Sequence, residues 1–455
     1  MTVVNIIGGG LAGSECALYL AERGISVKLF EMRPIKMTPV HQTGMLSELV
    51  CSNSLKSQQV ENASGMLKLE LSLLQSRSLQ IAQQCRVNAG KALAVDRILF
   101  SQSISDTLKD KVEILREEVQ DFEDFDLEND YVVVATGPMT SNPVMQTLQK
   151  LFNQEELFFF DAVSPIIDSD GIDLNIVFSA DRYDQFDEQS NFKPGAYLNC
   201  PMDQANYEAF REALISAQVL PVEDFEKKHL FERCQPIEEI AKSGMDAMRY
   251  GPLKPVGIID PRTGKEPYSV VQLRKENQAG TMYNLVGFQT RLKWPEQKRI
   301  IRMIPGLKQA EIYRYGVMHK NAFINSPNLL ESDFSWKKNN HLFFAGQITG
   351  VEGYVESIAS GYYTGMSIYR RLLGLKKVTF PEETMIGGLF HYCTTAEDMK
   401  PMYANFGLLP ELIKKVPKKN RRTEKSQRGI TVMKDFIQQH EINRELLDSR
   451  WGVER

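Results

Sequence analysis

Three features of the sequence predict an α/β fold built round a parallel sheet. The apolar run Val3-Val4-Asn5-Ile6-Ile7 leads straight into G-x-G-x-x-G at Gly8–Gly13, and a helical pattern follows at once. A second apolar run, Ser26-Val27-Lys28-Leu29-Phe30, ends on the acid Glu31. A buried-strand pattern then recurs at Tyr131–Ala135 and at Leu342–Ala345, each closed by a glycine. Strand, glycine turn, helix, strand and acid form the order of a dinucleotide-binding unit. Gly8 fits the tight turn out of the strand. Gly10 has no side chain to keep a pyrophosphate off the backbone, and Gly13 lets the helix pack close to the sheet. Gly9, Leu11 and Ala12 complete the turn, whose free N–H groups and helix dipole suit phosphate. Glu31 is placed to accept from ribose hydroxyls.

The remaining elements follow in order. Residues 33–90 interrupt the unit with a stretch rich in Ser, Gln, Met and Leu, expected as loop and helices, with an amphipathic segment around Met66–Leu71. Asp96 is a plausible N-cap for a helix with Phe100 and Ile104 on its apolar face. Lys111–Leu115 alternates as a strand. From about 150 to 310 short strand-like runs dominate. A hairpin is expected between Val256–Ile259 and Tyr268–Val271 across Asp260-Pro261-Arg262-Thr263-Gly264, and helices near 203–217 and 222–248. From Ser357 a helix with small residues on one face is expected. The expected organisation is a discontinuous nucleotide-binding domain (1–150 plus 311–375), an inserted α+β domain (151–310) and a helical, basic C-terminal segment (376–455).

A net charge of −4 gives no overall attraction for a polyanion, so any such partner needs a local basic patch. One candidate is Lys414, Lys415, Lys418, Lys419, Arg421, Arg422, Lys425 and Arg428, against the single acid Glu424. On charge alone a solvated helix face explains it as well as phosphate binding does. The six cysteines show neither C-x-x-C nor metal-ligand spacing, so no metal is expected and the thiols read as reduced. No apolar run approaches the ~18–20 residues of a membrane span. The first strand opens within a few residues of Met1, so no signal segment is expected and the expected location is the cytoplasm.

A nicotinamide dehydrogenase needs only the first glycine motif. Three such motifs favour FAD and a Rossmann-like domain of the glutathione-reductase type. There the Gly137 turn passes near the cofactor, Glu117–Val119 lie where adenine contacts backbone, and Gly346, Gln347 and Gly350 lead to a helix whose N-terminus faces the flavin. No second G-x-G-x-x-G exists, so NADH or NADPH would dock transiently.

Segments IIGGGLAGSE (6–15), FEMRP (30–34), ELVCSNSL (48–55), YGVMH (315–319) and FAGQITGVEGYVES (344–357) together resemble the folate- and FAD-dependent tRNA (uracil-5-)-methyltransferases, which are related to the GidA-type flavoproteins. The likeness spans the chain, and ELVCSNS with FERCQP (231–236) separates it from the wobble-uridine relatives. It implies that 5,10-methylenetetrahydrofolate supplies a carbon to C5 of a uridine at position 54 in the tRNA T-loop, with reduced FAD supplying electrons and NAD(P)H recycling it. Cys51 and Cys234 match that family's functional cysteines. Uracil C5 becomes nucleophilic when a thiolate adds to C6, and a base must then remove the C5 proton. Cys234 is assigned as nucleophile and Cys51 as acid/base partner. On the residues alone, Cys51 stands in a polar run with Ser52, Asn53 and Ser54, and Cys234 follows Arg233, whose cation would favour a thiolate, but the small buried hydrophobe is the favoured reading of each. Tyr354 is the candidate wall for a stacked pterin, with His319 and Arg291 as weaker polar contacts in the same cleft. The alternatives are the same chemistry on a ribosomal RNA uridine, a small-molecule flavin oxidoreductase, and a non-catalytic RNA-binding flavoprotein.

Overall fold

The computed structural model describes residues 2–153, 157–182, 195–220, 235–397 and 399–442, with 157–162 and 318–320 described by backbone alone. Its first sheet has six strands in the order Ser335–Trp336, Asn339–Phe344, Tyr131–Val134, Val4–Ile7 (β1), Val27–Phe30 (β2) and Glu113–Leu115. All neighbours run parallel except Ser335–Trp336. Counted along the chain from β1, the five parallel strands lie in the order 3-2-1-4-5, the arrangement of doubly wound nucleotide-binding sheets. Every residue of β1 and of Tyr131–Val134 is buried, as a strand covered on both faces requires. The helix Leu11–Ala21 (α1) covers one face and itself packs against the helix Tyr354–Leu372. A Cβ at Gly361 would stand 2.1 Å from the Ala12 carbonyl oxygen. The expected small-residue face is therefore what lets the two helices meet.

Residues 33–90 form the loops and helices that the composition suggested, and also two short strands that it did not, Ser54–Ser57 and Arg86–Val87, which both pair antiparallel with Ala92–Val95. The helices Ala63–Leu73 and Arg77–Gln84 are followed by the helix Arg97–Lys109, where the Asp96 carboxylate accepts from the Leu99 N–H and Phe100 and Ile104 are fully buried. The last two C-terminal helices, Met385–Thr395 and Arg421–Gln439, pack back on this insertion and share the first core. Glu70 takes the Met385 and Ile386 N–H groups at the start of the first of them.

The second six-stranded sheet is antiparallel in every pairing, in the order Phe178–Ser179, Tyr197–Met202, Ser269–Lys275, Met282–Leu285, Ile166–Asp168 and Ile312–Arg314. With the helices Gln204–Ser216, Ile237–Ser243 and Trp294–Ile301 it encloses its own core. The expected 256–271 hairpin does not form. Ser269–Lys275 pairs with Tyr197–Met202 and Met282–Leu285, and only one isolated bridge, Asp260 to Lys265, closes the Asp-Pro turn. Among the described residues no helix is long and apolar enough to cross a membrane.

Candidate functional site

A cavity of about 140 Å³ opens at the carboxyl ends of β1 and Tyr131–Val134. Parallel-sheet chain order reverses between these strands, which is where such sheets bind ligands. Gly8, Gly10, Leu11, Ala12, Glu31, Gly137, Gly346, Gln347 and Tyr354 all line it, as do Glu117–Val119. A Cβ at Gly10 would meet nothing within 4 Å, so the bare backbone of the α1 N-cap faces open space. A Cβ at Gly137 would likewise meet nothing. These features fit a dinucleotide whose pyrophosphate approaches main-chain N–H groups.

Three glycines expected at the cofactor stand behind this wall. Gly9 packs against Leu46 and donates its N–H to Glu31 Oε2 at 3.0 Å. Gly13 serves close packing, since a Cβ there would lie 1.9 Å from the Gly8 carbonyl oxygen. Gly350 is in the left-handed region at φ 87° and abuts Met399.

Glu31 reaches the cavity with its acceptor sites already engaged. Oε1 accepts from the Arg33 N–H and Nε, and Oε2 from Gly9 and Arg33 Nη2, all between 2.9 and 3.0 Å. Burial works to raise its pKa, but Arg33's hydrogen bonds and charge, with the Gly9 N–H, hold it below the usual value. Arg33 is buried and also donates to Glu48 at 3.3 Å. Glu48 ties down the loop by accepting from the Gln42 and Thr43 N–H groups and the Thr43 hydroxyl. His41, another lining residue, is pushed down to about 4 by burial and then by the Arg33 charge, so its ring is neutral at neutral pH. The motif FEMRP contained Arg33, but its pairing with Glu48 depends on a loop that the sequence does not define.

Cys51 follows Val50, a lining residue, and is half-buried. Its N–H donates to Tyr354 Oη at 2.7 Å, and the Ser52 N–H donates to the same oxygen at 3.1 Å. The candidate acid/base cysteine and the candidate pterin wall therefore meet there. Tyr354 heads its helix, and its hydroxyl holds the Cys51 backbone while its side chain walls the cavity. Burial, and then the charge of a Cys51 thiolate, push the phenol's pKa up. Two buried arginines, Arg97 and Arg314, are close enough to Cys51 for a thiolate there to favour their charged forms. The sequence offered only a polar run around Cys51; these cations lie 46 and 263 positions further along the chain.

The other assigned residues fall elsewhere. Cys234 and the FERC portion of its motif lie outside the described residues, as does the His319 side chain. Arg291 does not serve the cleft. It is buried in the second core, paired with Glu239 and 3.7 Å from Glu238. The basic cluster divides. Lys425 is buried and donates to the Phe406 and Leu409 carbonyls, and Arg428 donates to those of Pro410 and Glu411. Lys414, Lys415, Lys418, Lys419, Arg421 and Arg422 are exposed.

The family model described as "Glucose inhibited division protein A" matches residues 3–376. A Thermotoga maritima protein named methylenetetrahydrofolate–tRNA-(uracil-5-)-methyltransferase TrmFO is 54% identical over 96% of this chain and 99% of its own. A Bacillus velezensis protein of the same name is 51% identical over 92% of this chain and 95% of its own. Among solved structures, Aquifex aeolicus GidA in its form II crystal superposes with a TM-score of 0.65 at 17% identity, covering 97% of this chain and 75% of that one, a likeness of fold. With half of all positions identical along nearly the whole of both chains, this chain belongs to the family of glucose inhibited division protein A and, within it, to the TrmFO group.

Proposed function

We propose that this protein is an FAD- and folate-dependent tRNA (uracil-5-)-methyltransferase that forms 5-methyluridine at position 54 of the T-loop. The observation that carries the reading is the Cys51 backbone held by Tyr354 at the edge of a dinucleotide cavity, within electrostatic reach of Arg97 and Arg314. The relatives' names supply the substrate pair, methylenetetrahydrofolate and tRNA.

The N–H groups of the Gly10–Ala12 turn would hold the FAD pyrophosphate, and Glu31 would take an adenosine ribose hydroxyl in exchange for one of its present donors. Bound there and reduced by NADH or NADPH, FAD would supply the hydride that turns the transferred methylene into a methyl. Tyr354 offers a flat aromatic surface against which a pterin would stack. The Cys234 thiolate adds to uracil C6, and the electron pair displaced to C5 attacks the one-carbon unit. Cys51, as thiolate, removes the C5 proton, and the electron pair left behind breaks the bond from the transferred carbon to its folate nitrogen, leaving an exocyclic methylene on C5; once that methylene takes up hydride, the Cys234 thiolate leaves C6 and the uracil ring is restored. Arg97 and Arg314 favour the thiolate that this proton transfer requires. The exposed lysines from 414 to 419 would meet the tRNA backbone.

The test uses purified protein, NADH or NADPH, methylene-labelled folate and unmodified transcripts of tRNA and ribosomal RNA, offered separately. The expected result is label in tRNA, mapped to uridine 54. Label in neither RNA overturns the reading, and label in ribosomal RNA alone transfers the same chemistry to that substrate.

A further inference from the structure

The Cys51 loop is fastened on both sides by groups tied to the second sheet. On its N-terminal side, Arg97 Nη1 donates to the Leu49 carbonyl at 2.5 Å, two residues before the thiol. The rest of that guanidinium faces the second sheet, where Nε and Nη2 both donate to Glu276 Oε2 at 3.1 and 2.9 Å. On its C-terminal side, Asn53 accepts from Arg274 Nε at 2.9 Å and donates to the Lys275 carbonyl at 2.8 Å. Arg97, Asn53, Arg274 and Glu276 are all buried. Arg97 has a carboxylate partner in Glu276, whose second oxygen is buried with no hydrogen bond. Among the described residues, the hydrogen bonds to the Glu276 carboxylate come from this arginine alone.

We propose that Glu276 is a positioning residue for the Cys51 thiol, acting through Arg97. It fixes the guanidinium that holds the Leu49 carbonyl, and it offsets the positive charge that Arg97 presents to Cys51. The second sheet thereby sets both where the thiol sits and how strongly its anion is favoured. The use of that thiol in methyl transfer rests on the function proposed above; its chemical reactivity does not.

The two contributions predict opposite signs for different variants. Glu276→Gln keeps the shape but leaves the Arg97 charge uncompensated, so a thiolate at Cys51 is favoured more. Alkylation of Cys51 by iodoacetamide at fixed neutral pH, read by peptide mass spectrometry on the flavin-loaded protein without RNA or folate, should accelerate about three- to tenfold. Glu276→Asp keeps the charge and should label within about twofold of the parent. The double variant Arg97→Met with Glu276→Met removes both charges, avoids a buried unpaired ion, and should label about three- to tenfold more slowly than the parent. Loosening of the loop would speed labelling in every variant in step with its fall in melting temperature. That pattern, or equal rates for Glu276→Gln and Glu276→Asp, overturns the proposal. If Glu276→Gln does not fold, a double variant that labels as fast as the parent overturns it equally. Failure of RNA methylation in the parent would sink the proposed function while leaving this measurement interpretable.

Discussion

Tyr354 shows how one side chain can serve two ends of a site. Its side chain walls the cavity, while its hydroxyl oxygen takes the two backbone N–H groups of Cys51 and Ser52. Burial and the neighbouring thiol keep the group a neutral phenol, so it retains a proton to donate. Tyr354→Phe keeps the flat ring and leaves those N–H groups without their acceptor. We expect it to cost about 1–3 kcal/mol of stability and to lower kcat for methyl transfer by about one to two orders of magnitude through misplacement of Cys51. Flavin absorbance should remain at parental stoichiometry. A Phe variant with parental kcat would show that this hydroxyl does not position the thiol. The sequence made Tyr354 a candidate as an aromatic wall. It carried no sign of the hydroxyl's partner, because that contact joins residues 303 positions apart.

At the scale of elements, the legible parts are those set by a few neighbouring residues. The β1–α1–β2 unit was readable because turn, helix start and acid stand at fixed spacings, and the Asp96 cap because its partner is Leu99. The 256–271 hairpin was misread because a strand's partner is chosen by distant chain. Ser269–Lys275 pairs with Tyr197–Met202 over six register positions, while the Asp-Pro turn holds itself through the Arg262–Asp260 ion pair. The glycines of the first turn now separate into two kinds with different predicted failures. Gly10→Ala adds a Cβ into open cavity space, so flavin-stripped protein should unfold in urea at the parental midpoint while its FAD affinity falls at least tenfold. Gly13→Ala drives a Cβ into the Gly8 carbonyl and should cost about 1–3 kcal/mol in the stripped protein itself. Urea titration followed by FAD titration distinguishes the two. Equal midpoints for both variants would remove the packing role assigned to Gly13.

Across the whole molecule, the second sheet and its own core meet the nucleotide-binding core where Arg97, Asn53, Arg274 and Glu276 surround the Cys51 loop. The chain carries a net charge of −4, so a polyanionic partner must be drawn to a local surface. The exposed basic stretch supplies one. Its Lys425 and Arg428 have carbonyl partners within the fold, leaving Lys414, Lys415, Lys418, Lys419, Arg421 and Arg422 at the surface. Replacing Lys414, Lys415, Lys418 and Lys419 by Glu should weaken tRNA binding and flatten the plot of log affinity against log salt by roughly 0.9 for each duplex phosphate that is no longer neutralised. The kcat at saturating tRNA should stay near parental, because none of these side chains lines the cavity. Lys425→Ala should behave differently. It strands the Phe406 and Leu409 carbonyls, so it should lower the melting temperature and leave the salt slope of the folded protein unchanged. An unchanged slope in the fourfold Glu variant would place the tRNA backbone on another face. The basic stretch would then be the solvated helix surface that its charge alone equally describes.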